Sequence, residues 1–370
     1  MPDQRITQIA EILIDYSLGI KPGQKLLLRG STLAAPLFRE AYRKALRAGA
    51  LVTTQISLPG MEKIFYDEAN EEQLADIHPL YQLAAETFDA FLAIEGIANT
   101  REGTGYDPKK QAKVGEANQP IRDKFVGRAA EGKLKWCVTI YPTNAYAQDA
   151  DMSLEDYTEF VFGACLPDAK DPIGFWKKME SRQSRLIEYL NKVKQIHLVA
   201  ADTDLTLSVE NRKWINCAGR ENFLDGEVFT GPIESETEGH VRFTYPAVYL
   251  GNEVINAQLW FEKGRVVKAK ADKGEEFLLD MLDRDDGART LGEFAIGTNP
   301  GITQFTRNTL FDEKIQGTVH MALGMSYPES GGTNDSQVHW DMVCDMRQGG
   351  KLYADGDLLY ENGEFKIDFD

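Results

Sequence analysis

The stretch HMALGMSYPESGGTNDSQVHWDMVCD, residues 320–345, carries the pattern from which the second half of the chain is best interpreted. Two apolar runs are joined by a segment rich in Gly, Ser and Asn, which predicts two strands that return to a common edge. His339 and Asp341 stand two residues apart, so on a strand both face one side, with Trp340 on the other. Together with His320 in the first run, this imidazole–carboxylate pair resembles half of a metal site.

The alternative for this stretch is an ordinary histidine at His339 and a turn or surface charge at Asp341. Short motifs match by chance often enough that H-x-D alone does not define a site. The hypothesis of a metal site therefore requires further ligands from elsewhere in the chain.

Bulk composition limits the functions that the chain can have. Its 370 residues are enough for two domains, and 42% hydrophobic with 27% charged residues is an ordinary globular composition. The net charge of −17 argues against binding to nucleic acid or to an anionic membrane surface, because both need a basic face. The same charge suits cationic ligands, either metal ions or substrates with a free amino group, and it also keeps a protein soluble.

The cellular setting predicted from the sequence is the cytoplasm. The four cysteines lie far apart without CxxC spacing, so we expect reduced thiols rather than disulfides or a zinc knuckle. The N-terminal stretch MPDQRITQIAEILIDYSLGI has polar residues throughout, so we expect no signal peptide. No apolar run approaches the length of a membrane span.

The first half of the chain alternates between strand and helix patterns. Apolar strand patterns occur at residues 25–29, 51–57, 90–95 and 134–141. Strand, helix and strand at this spacing predict βαβ units and a parallel sheet, and a capped helix is predicted after Ser153. The turn after the first strand lacks a Gly-rich phosphate-binding fingerprint. We therefore predict an α/β domain with an open, mainly parallel sheet over residues 1–170, without a nucleotide site.

The pattern changes to period-two alternation from Ile196 onwards. Alternating apolar residues separated by Lys-Gly, Asp-Gly and Asn-Gly turns predict antiparallel hairpins. An amphipathic helix is predicted at 176–190, and shorter helices are predicted at 277–282 and 305–313. We therefore predict an α+β domain rich in antiparallel strands over residues 171–370, and this domain would carry the metal site.

Two glutamates stand where a charge is unusual. Glu227 in LDGEVFTGP (224–232) and Glu293 in LGEFAIG (291–297) each follow a glycine inside an apolar strand-like run. A carboxylate that faces inward is costly unless it is paired or bound to metal. A preceding glycine lets another group approach the backbone closely. The alternative for each glutamate is a charge at a strand edge that faces water.

Glu313 is a further candidate, although Asp312-Glu313-Lys314 on its own favours a solvated helix end. The candidate donors are then three glutamates, one aspartate and two histidines. One catalytic zinc takes three protein ligands, so a set of this size suits two divalent ions bridged by a carboxylate and a water. Carboxylate and imidazole donors without a thiolate favour zinc, cobalt or manganese.

Several motifs in the second half resemble, in the same order, those of the thermophilic metallo-aminopeptidases of the aminopeptidase T and aminopeptidase S type. They are DGEVFTGP at 225–232, LGEFAIG at 291–297, LFDEK at 310–314, TVHMALGMSYP at 318–328 and NDSQVHWDM at 334–342. The resemblance covers most of the chain. It implies two domains, a metal centre in the C-terminal one, and a homodimer that encloses the active sites.

The resemblance also implies roles for individual residues. Metal ligands are implied at Glu227, Glu293, Glu313, His320, His339 and Asp341. Glu293 is implied as the bridging carboxylate, and Tyr327 as the active-site tyrosine. The segment KIQGTV before His320 is longer than in bacterial members of the family, which shifts Glu313 relative to the histidine.

The activity implied is release of N-terminal amino acids from peptides with a free N-terminus, by a water activated by two divalent ions. Tyr327 would donate a hydrogen bond to the developing oxyanion, and Glu227 or Glu293 would carry the proton from the water to the leaving amine. The alternative for Tyr327 is an ordinary loop tyrosine with its hydroxyl in water.

Two other classes of function are alternatives to a peptidase. A non-catalytic metal- or peptide-binding protein would use the same ligands with every coordination position closed, and metal-dependent turnover would separate the two. A nucleotide-binding α/β protein is disfavoured by the missing fingerprint, and a serine hydrolase by the missing GxSxG elbow.

Overall fold

The computed structural model describes residues 3–369. They divide into two compact units. The first comprises the described residues up to Ile173 together with Gly219–Leu224, and the second comprises Gly174–Ala218 and the described residues from Asp225 onwards.

The first unit alternates helices with parallel strands. Its helices are α1 (Gln4–Glu11), α2 (Ala35–Arg47), α3 (Met61–Glu68), α4 (Glu71–Ala75), α5 (Pro79–Thr87), α6 (Pro108–Ala130), α7 (Asn144–Asp149) and α8 (Leu154–Cys165). Its strands are β1 (Lys25–Ser31), β2 (Leu51–Ser57), β3 (Ala90–Glu95), β4 (Lys135–Ile140) and β8 (Asn222–Phe223). A π-helical segment, Ile12–Ser17, continues α1.

The strands of the first unit form one sheet in the order β2-β1-β3-β4-β8, and every pair is parallel. Leu26, Leu27 and Leu28 of β1 are all buried, because the helices of a βαβ fold cover both faces of a parallel sheet. The predicted open α/β sheet is confirmed. The late segment Gly219–Leu224 contributes β8 through its pairing with β4.

The second unit is built mainly from antiparallel strands. Its helices are α9 (Pro172–Leu190), most of which belongs to this unit, α10 (Glu275–Leu282) and α11 (Thr309–Asp312). The strands before α10 are β5 (Gln195–Ala200), β6 (Thr203–Ser208), β7 (Ile215–Cys217), β9 (Glu227–Thr230), β10 (Thr237–Arg242), β11 (Ala247–Tyr249), β12 (Asn252–Val254), β13 (Gln258–Glu262) and β14 (Arg265–Lys270). Those after it are β15 (Leu291–Gly297), β16 (Thr318–Gly324), β17 (His339–Asp345), β18 (Lys351–Ala354), β19 (Asp357–Glu361) and β20 (Glu364–Phe365).

The strands of this unit form two large sheets and one two-stranded sheet, β11-β12. One large sheet has eight strands in the order β14-β13-β10-β6-β5-β18-β19-β20, and the other has five in the order β17-β16-β15-β9-β7. Their inward side chains form one apolar core, to which Leu198, Leu207, Phe294, Met321 and Trp340 belong. The predicted α+β architecture with antiparallel strands is confirmed.

The helix predicted at 305–313 is largely wrong, because only Thr309–Asp312 is helical. The backbone N–H and the hydroxyl of Thr306 donate to the Asp312 carboxylate at 2.7 and 3.0 Å, which holds the preceding residues in a loop. Asn308 then caps α11 by accepting from Leu310 N–H at 3.1 Å. These local side-chain bonds compete with helix formation.

Other expectations concern the cysteines and membrane-spanning segments. Cys137, Cys165 and Cys344 are buried, Cys217 is half-buried, and none of the four forms a disulfide among residues 3–369. Within residues 3–369, no helix has both the length and the apolar character required to cross a membrane.

Candidate metal centre

Adjacent strands of the five-stranded sheet bring most of the predicted ligands together. Glu227 begins β9, Glu293 lies on β15, His320 lies on β16, and His339 and Asp341 lie at the start of β17. The pairing places Glu293 opposite Ala322, which in turn pairs with Asp341.

The expected alternation along β17 is confirmed. Trp340 and Met342 are buried, whereas His339 and Asp341 are half-buried on the opposite face. The two strands predicted from residues 320–345 are β16 and β17, and they pair directly as antiparallel neighbours.

The glycines before the two strand glutamates allow close backbone approach, as predicted. A Cβ on Gly292 would lie 2.2 Å from Met325 O, and the register of β15 shifts at this point in a bulge. A Cβ on Gly226 would lie 2.6 Å from Asn299 Cβ, and Gly226 also has a φ of +131°. Residues with side chains do not fit at either position.

Glu227, Glu293 and His320 form the first donor group, and all three are buried. His320 Nε2 lies 3.1 Å from Glu293 Oε1, with which it forms a hydrogen bond. It also lies 3.1 Å from Glu227 Oε2, but that oxygen has no hydrogen-bond partner among residues 3–369. The alternative of strand-edge charges in water is wrong for both glutamates.

Glu293, His339 and Asp341 form the second donor group. His339 Nε2 lies 3.9 Å from Glu293 Oε2 and 3.5 Å from Asp341 Oδ2. Because His339 Nδ1 lies 2.9 Å from the carbonyl of Met325, which can only accept, Nδ1 carries the proton and donates it. This bond orients the ring and leaves Nε2 towards the carboxylates. Each carboxylate oxygen of Glu293 therefore faces a different histidine.

Glu313 belongs to a third group with His320 and Asp341. Its side chain is only 12% exposed, and it accepts a hydrogen bond from Lys314 Nζ. The solvated helix end that the residues alone favoured is therefore wrong. Lys314 itself is buried, and its Nζ also donates to Glu227 Oε1 at 2.6 Å.

Tyr327 stands at the edge of this cluster. Its ring centre lies 5.2 Å from that of His339, edge to face, and 5.5 Å from that of Phe229. Partial burial, followed by the charges of Glu293 and Asp341, raises the pKa of Tyr327, so its hydroxyl keeps its proton near neutrality.

Burial and mutual repulsion set the pKa values of the carboxylates. Burial raises the pKa of Glu293, and the charges of Asp341 and Glu227 raise it further. Burial likewise raises the pKa of Glu313, to about 8, despite the opposing charge of Lys314. Burial also acts to raise the pKa of Glu227, but Lys314 and His320 outweigh it and lower that pKa to about 2.

The histidines respond in the opposite sense. Burial alone would lower the pKa of His320, but Glu227 and Glu293 beside it raise the pKa well above its ordinary value. The pKa of His339 is also raised, because Asp341 and Glu293 outweigh burial. In the absence of another cation, protons therefore compensate the negative charge of the cluster.

The chemistry of this donor set fits divalent cations. Glu227 Oε2 and Asp341 Oδ1 are buried without hydrogen-bond partners among residues 3–369, and such atoms destabilise a protein unless something binds them. Oxygen and imidazole donors suit zinc, cobalt or manganese. Glu227, Glu293, His320, His339 and Asp341 lie in donor groups that could hold a divalent cation, and Glu313 belongs to a group that overlaps them.

Some features of the site escaped the sequence analysis. The sequence alone predicts a charged helix end at Lys314, because no local pattern marks this residue as buried. Cys217 and Asp225 form a further donor group with Glu227. The carbonyl of Met325, which orients His339, carries no sequence signal because every residue has such a group.

Comparison with known proteins finds a family and individual relatives that match nearly the whole chain and agree with one another. Residues 2–365 match the model of the thermophilic metalloprotease (M29) family. Aminopeptidase 2 of Geobacillus stearothermophilus is 30% identical over 381 residues, which cover 92% of each protein. Aminopeptidase T of Thermus thermophilus is 30% identical over 403 residues, which cover 97% of this chain and 96% of the relative.

A solved structure agrees with these sequence relatives. Wild-type AmpT from Thermus thermophilus superimposes with a TM-score of 0.85 at 26% identity, over 98% of this chain and 99% of that structure. The resemblance inferred from the sequence motifs is confirmed, and the chain belongs to the thermophilic metalloprotease family M29.

Proposed function

We propose that this protein is a metal-dependent aminopeptidase that releases N-terminal amino acids from peptides, with a water activated by two divalent ions. Membership of the family makes it a metalloprotease, and the relatives described above are aminopeptidases. The observation that carries the two-ion proposal is Glu293, which is shared by two donor groups and faces a different histidine with each oxygen. All of the residues proposed to act lie in 171–370, which we propose as the catalytic domain.

The donor groups support a proposal of two ion positions. Glu227, Glu293 and His320 would hold one ion, and Glu293, His339 and Asp341 would hold the other. Glu313, whose group overlaps both through His320 and Asp341, is proposed as an additional ligand. Zinc, cobalt and manganese are the candidate metals, because the donors are oxygen and imidazole nitrogen.

Bound divalent ions would supply a water of lowered pKa and polarise the scissile carbonyl. The chain's own residues would then supply proton transfer and hydrogen bonding. Glu293 would take the proton from the water and return it to the leaving amine. Tyr327, whose hydroxyl keeps its proton near neutrality, would donate a hydrogen bond to the oxyanion as its charge develops.

The acidic cluster also suggests how the substrate is chosen. The lone pair of a free α-amine would coordinate one of the ions, and the surrounding carboxylates would attract the positive charge that the amine carries before it binds. Acetylation removes both the charge and the lone pair of that amine. We therefore expect cleavage only at a free N-terminus.

A peptide pair tests this proposal. One peptide and its N-acetylated form, otherwise identical, are incubated with the metal-loaded protein and the products are identified by mass spectrometry. We expect stepwise loss of N-terminal residues from the free peptide and no cleavage of the acetylated one. Internal cuts, or equal cleavage of both peptides, would indicate an endopeptidase. No turnover of either peptide with any of the three metals would favour a non-catalytic binding protein.

We also propose that the protein is a cytoplasmic homodimer. Cysteines without disulfides are usual in a reducing compartment, and none of the four cysteines forms a disulfide among residues 3–369. The first unit exposes several large apolar side chains close together in sequence, on and after edge strand β2: Leu51, Ile56, Leu58, Met61 and Ile64. Exposed apolar side chains and an unpaired strand edge are typical of an interface.

Light scattering on eluting protein tests the homodimer. Ile56→Glu and Ile64→Glu place charges among these apolar side chains, so we expect both variants to elute as monomers while the unchanged protein elutes as a dimer. Val267→Glu is the matched control, because Val267 is equally exposed, on β14 of the second unit. Unchanged dimers in both test variants would exclude this surface as the interface.

A further inference from the structure

A buried ammonium group stands directly beside the donor groups. The side chain of Lys314 is only 2% exposed, and its Nζ donates to Glu227 Oε1 at 2.6 Å and to Glu313 Oε1 at 2.5 Å. Asp225 Oδ1 lies 4.0 Å away. A buried charge destabilises a protein unless it is well paired, and here three carboxylates surround it.

The two hydrogen bonds determine which oxygen atoms remain for other partners. Oε1 of Glu227 accepts a hydrogen bond from Lys314 Nζ. Oε2 of Glu227 lies 3.1 Å from His320 Nε2 and has no hydrogen-bond partner among residues 3–369. Oε1 of Glu313 likewise accepts a hydrogen bond from Lys314 Nζ, and the carboxylate of Glu313 also belongs to the donor group with His320 and Asp341. Lys314 therefore contacts one glutamate from each of two donor groups.

The same ammonium occupies space where carboxylates would otherwise attract another cation. Asp225 and Glu227 belong to one potential donor group with Cys217, and Lys314 Nζ lies within 4.0 Å of both carboxylates. A covalently attached cation at this place compensates their charge permanently, and it cannot exchange with solvent as an ion does.

We propose that Lys314 is a positioning residue of the metal centre, whose fixed ammonium turns one oxygen of Glu227 and one of Glu313 towards the divalent ions. This inference rests on the proposed function, because the ions are those of the proposed two-ion site. Groups that orient metal ligands by hydrogen-bonding to them typically contribute about 10- to 100-fold in metal affinity. We expect an effect of that size here.

Zinc binding to the full-length protein tests the role of Lys314. Metal-free protein is titrated with zinc in a calorimeter with a competing chelator, and bound zinc is counted by elemental analysis. Lys314→Met keeps the aliphatic chain and removes the charge, so we expect zinc affinity to fall about 10- to 100-fold. Lys273→Met is the matched control, because Lys273 pairs with Glu253 at 2.9 Å at the surface, and its loss should leave zinc binding unchanged.

A second variant separates charge from packing. Lys314→Ala opens space beside Glu227 and Glu313, and methylammonium added to the solution can enter it as a mobile ammonium. We expect methylammonium to restore much of the zinc affinity of Lys314→Ala and to leave the unchanged protein unaffected. Thermal unfolding of each metal-free variant verifies that it is folded.

The outcomes distinguish this inference from the function on which it rests. Wild-type zinc affinity in Lys314→Met, or a loss in Lys314→Ala that methylammonium does not reduce, would overturn the positioning role. Failure of the unchanged protein to bind zinc, cobalt or manganese would instead contradict the proposed function. Two bound ions in the unchanged protein and weakened binding in both variants, with rescue by methylammonium, would support both.

Discussion

Glu293 is the single side chain on which the proposed two-ion arrangement depends most. Its Oε1 lies 3.1 Å from His320 Nε2, and its Oε2 lies 3.9 Å from His339 Nε2. A carboxylate in this place can contact both ions, whereas Glu313 belongs to one donor group and is already hydrogen-bonded to Lys314.

We predict that Glu293→Gln loses more metal than Glu313→Gln. The amide keeps the size of the side chain but removes its charge, and a bridging position loses contacts to both ions at once. Elemental analysis after identical dialysis measures the metal retained by each variant. Equal retention of two ions in both variants would count against a bridge at Glu293.

Tyr327 makes its proposed contribution only as charge develops on the substrate. We predict that Tyr327→Phe lowers kcat by about 10²- to 10³-fold, with much less change in KM and with both ions retained. Tyr353→Phe, at a partly exposed tyrosine on β18, is the control and should behave like the unchanged protein. A Tyr327→Phe variant with an unchanged kcat would mean that this tyrosine is not catalytic.

The role of a single residue could be predicted only where its neighbours in the sequence reveal it. Glu227 and Glu293 could be chosen because a glycine and an apolar run beside a carboxylate form a local contradiction. Lys314 could not, because two of the carboxylates that compensate its buried charge, Asp225 and Glu227, come from a distant part of the chain. The sequence Asp312-Glu313-Lys314 is therefore typical of a solvated helix end, and only the folded structure shows that it is enclosed.

Among the elements, strand β15 has a bulge directly beside Glu293, and a bulge can re-aim the side chain next to it. The register shifts between Leu291 and Glu293, and at Gly292 a Cβ would lie 2.2 Å from Met325 O and 2.3 Å from Gly324 O. These are backbone atoms, so they cannot move aside as a flexible side chain would.

We predict that Gly292→Ala destabilises the protein by about 1–3 kcal/mol and weakens metal binding, because the strand must shift to admit the methyl group. Gly115→Ala is the control, since a Cβ at Gly115 within α6 meets nothing within 4 Å. Thermal unfolding and zinc titration measure the two effects. Wild-type metal affinity in Gly292→Ala would show that the bulge does not position Glu293.

Elements with strong periodicity were predictable, and those without it were not. The strands Leu51–Ser57 and Ala90–Glu95 have the bounds expected from their apolar runs. Helix α6 gave no such signal, because it has no fully buried residue and contains Pro120. The error at 305–313 has a different cause, since Thr306 and Asn308 engage in side-chain hydrogen bonds that an apolar pattern does not register.

For the whole molecule, the acidity of the site links metal binding to pH. The pKa values of Glu293, Glu313, His320 and His339 are all raised, that of Glu313 to about 8, so the metal-free protein holds protons near neutrality that metal ions must displace. We therefore predict that metal binding releases protons and that affinity falls as the pH falls below about 8. Calorimetry in buffers with different ionisation enthalpies measures the protons released, and an affinity independent of pH would contradict this prediction.

The decisive measurement counts the ions that activity requires. Metal-free protein is titrated with zinc, cobalt or manganese while release of p-nitroaniline from an amino-acid p-nitroanilide is followed. We predict no activity without metal and a rise that ends at two equivalents per chain, because Glu293 joins two donor groups. Full activity in a preparation that elemental analysis finds free of metal, or saturation at one equivalent, would contradict the two-ion mechanism.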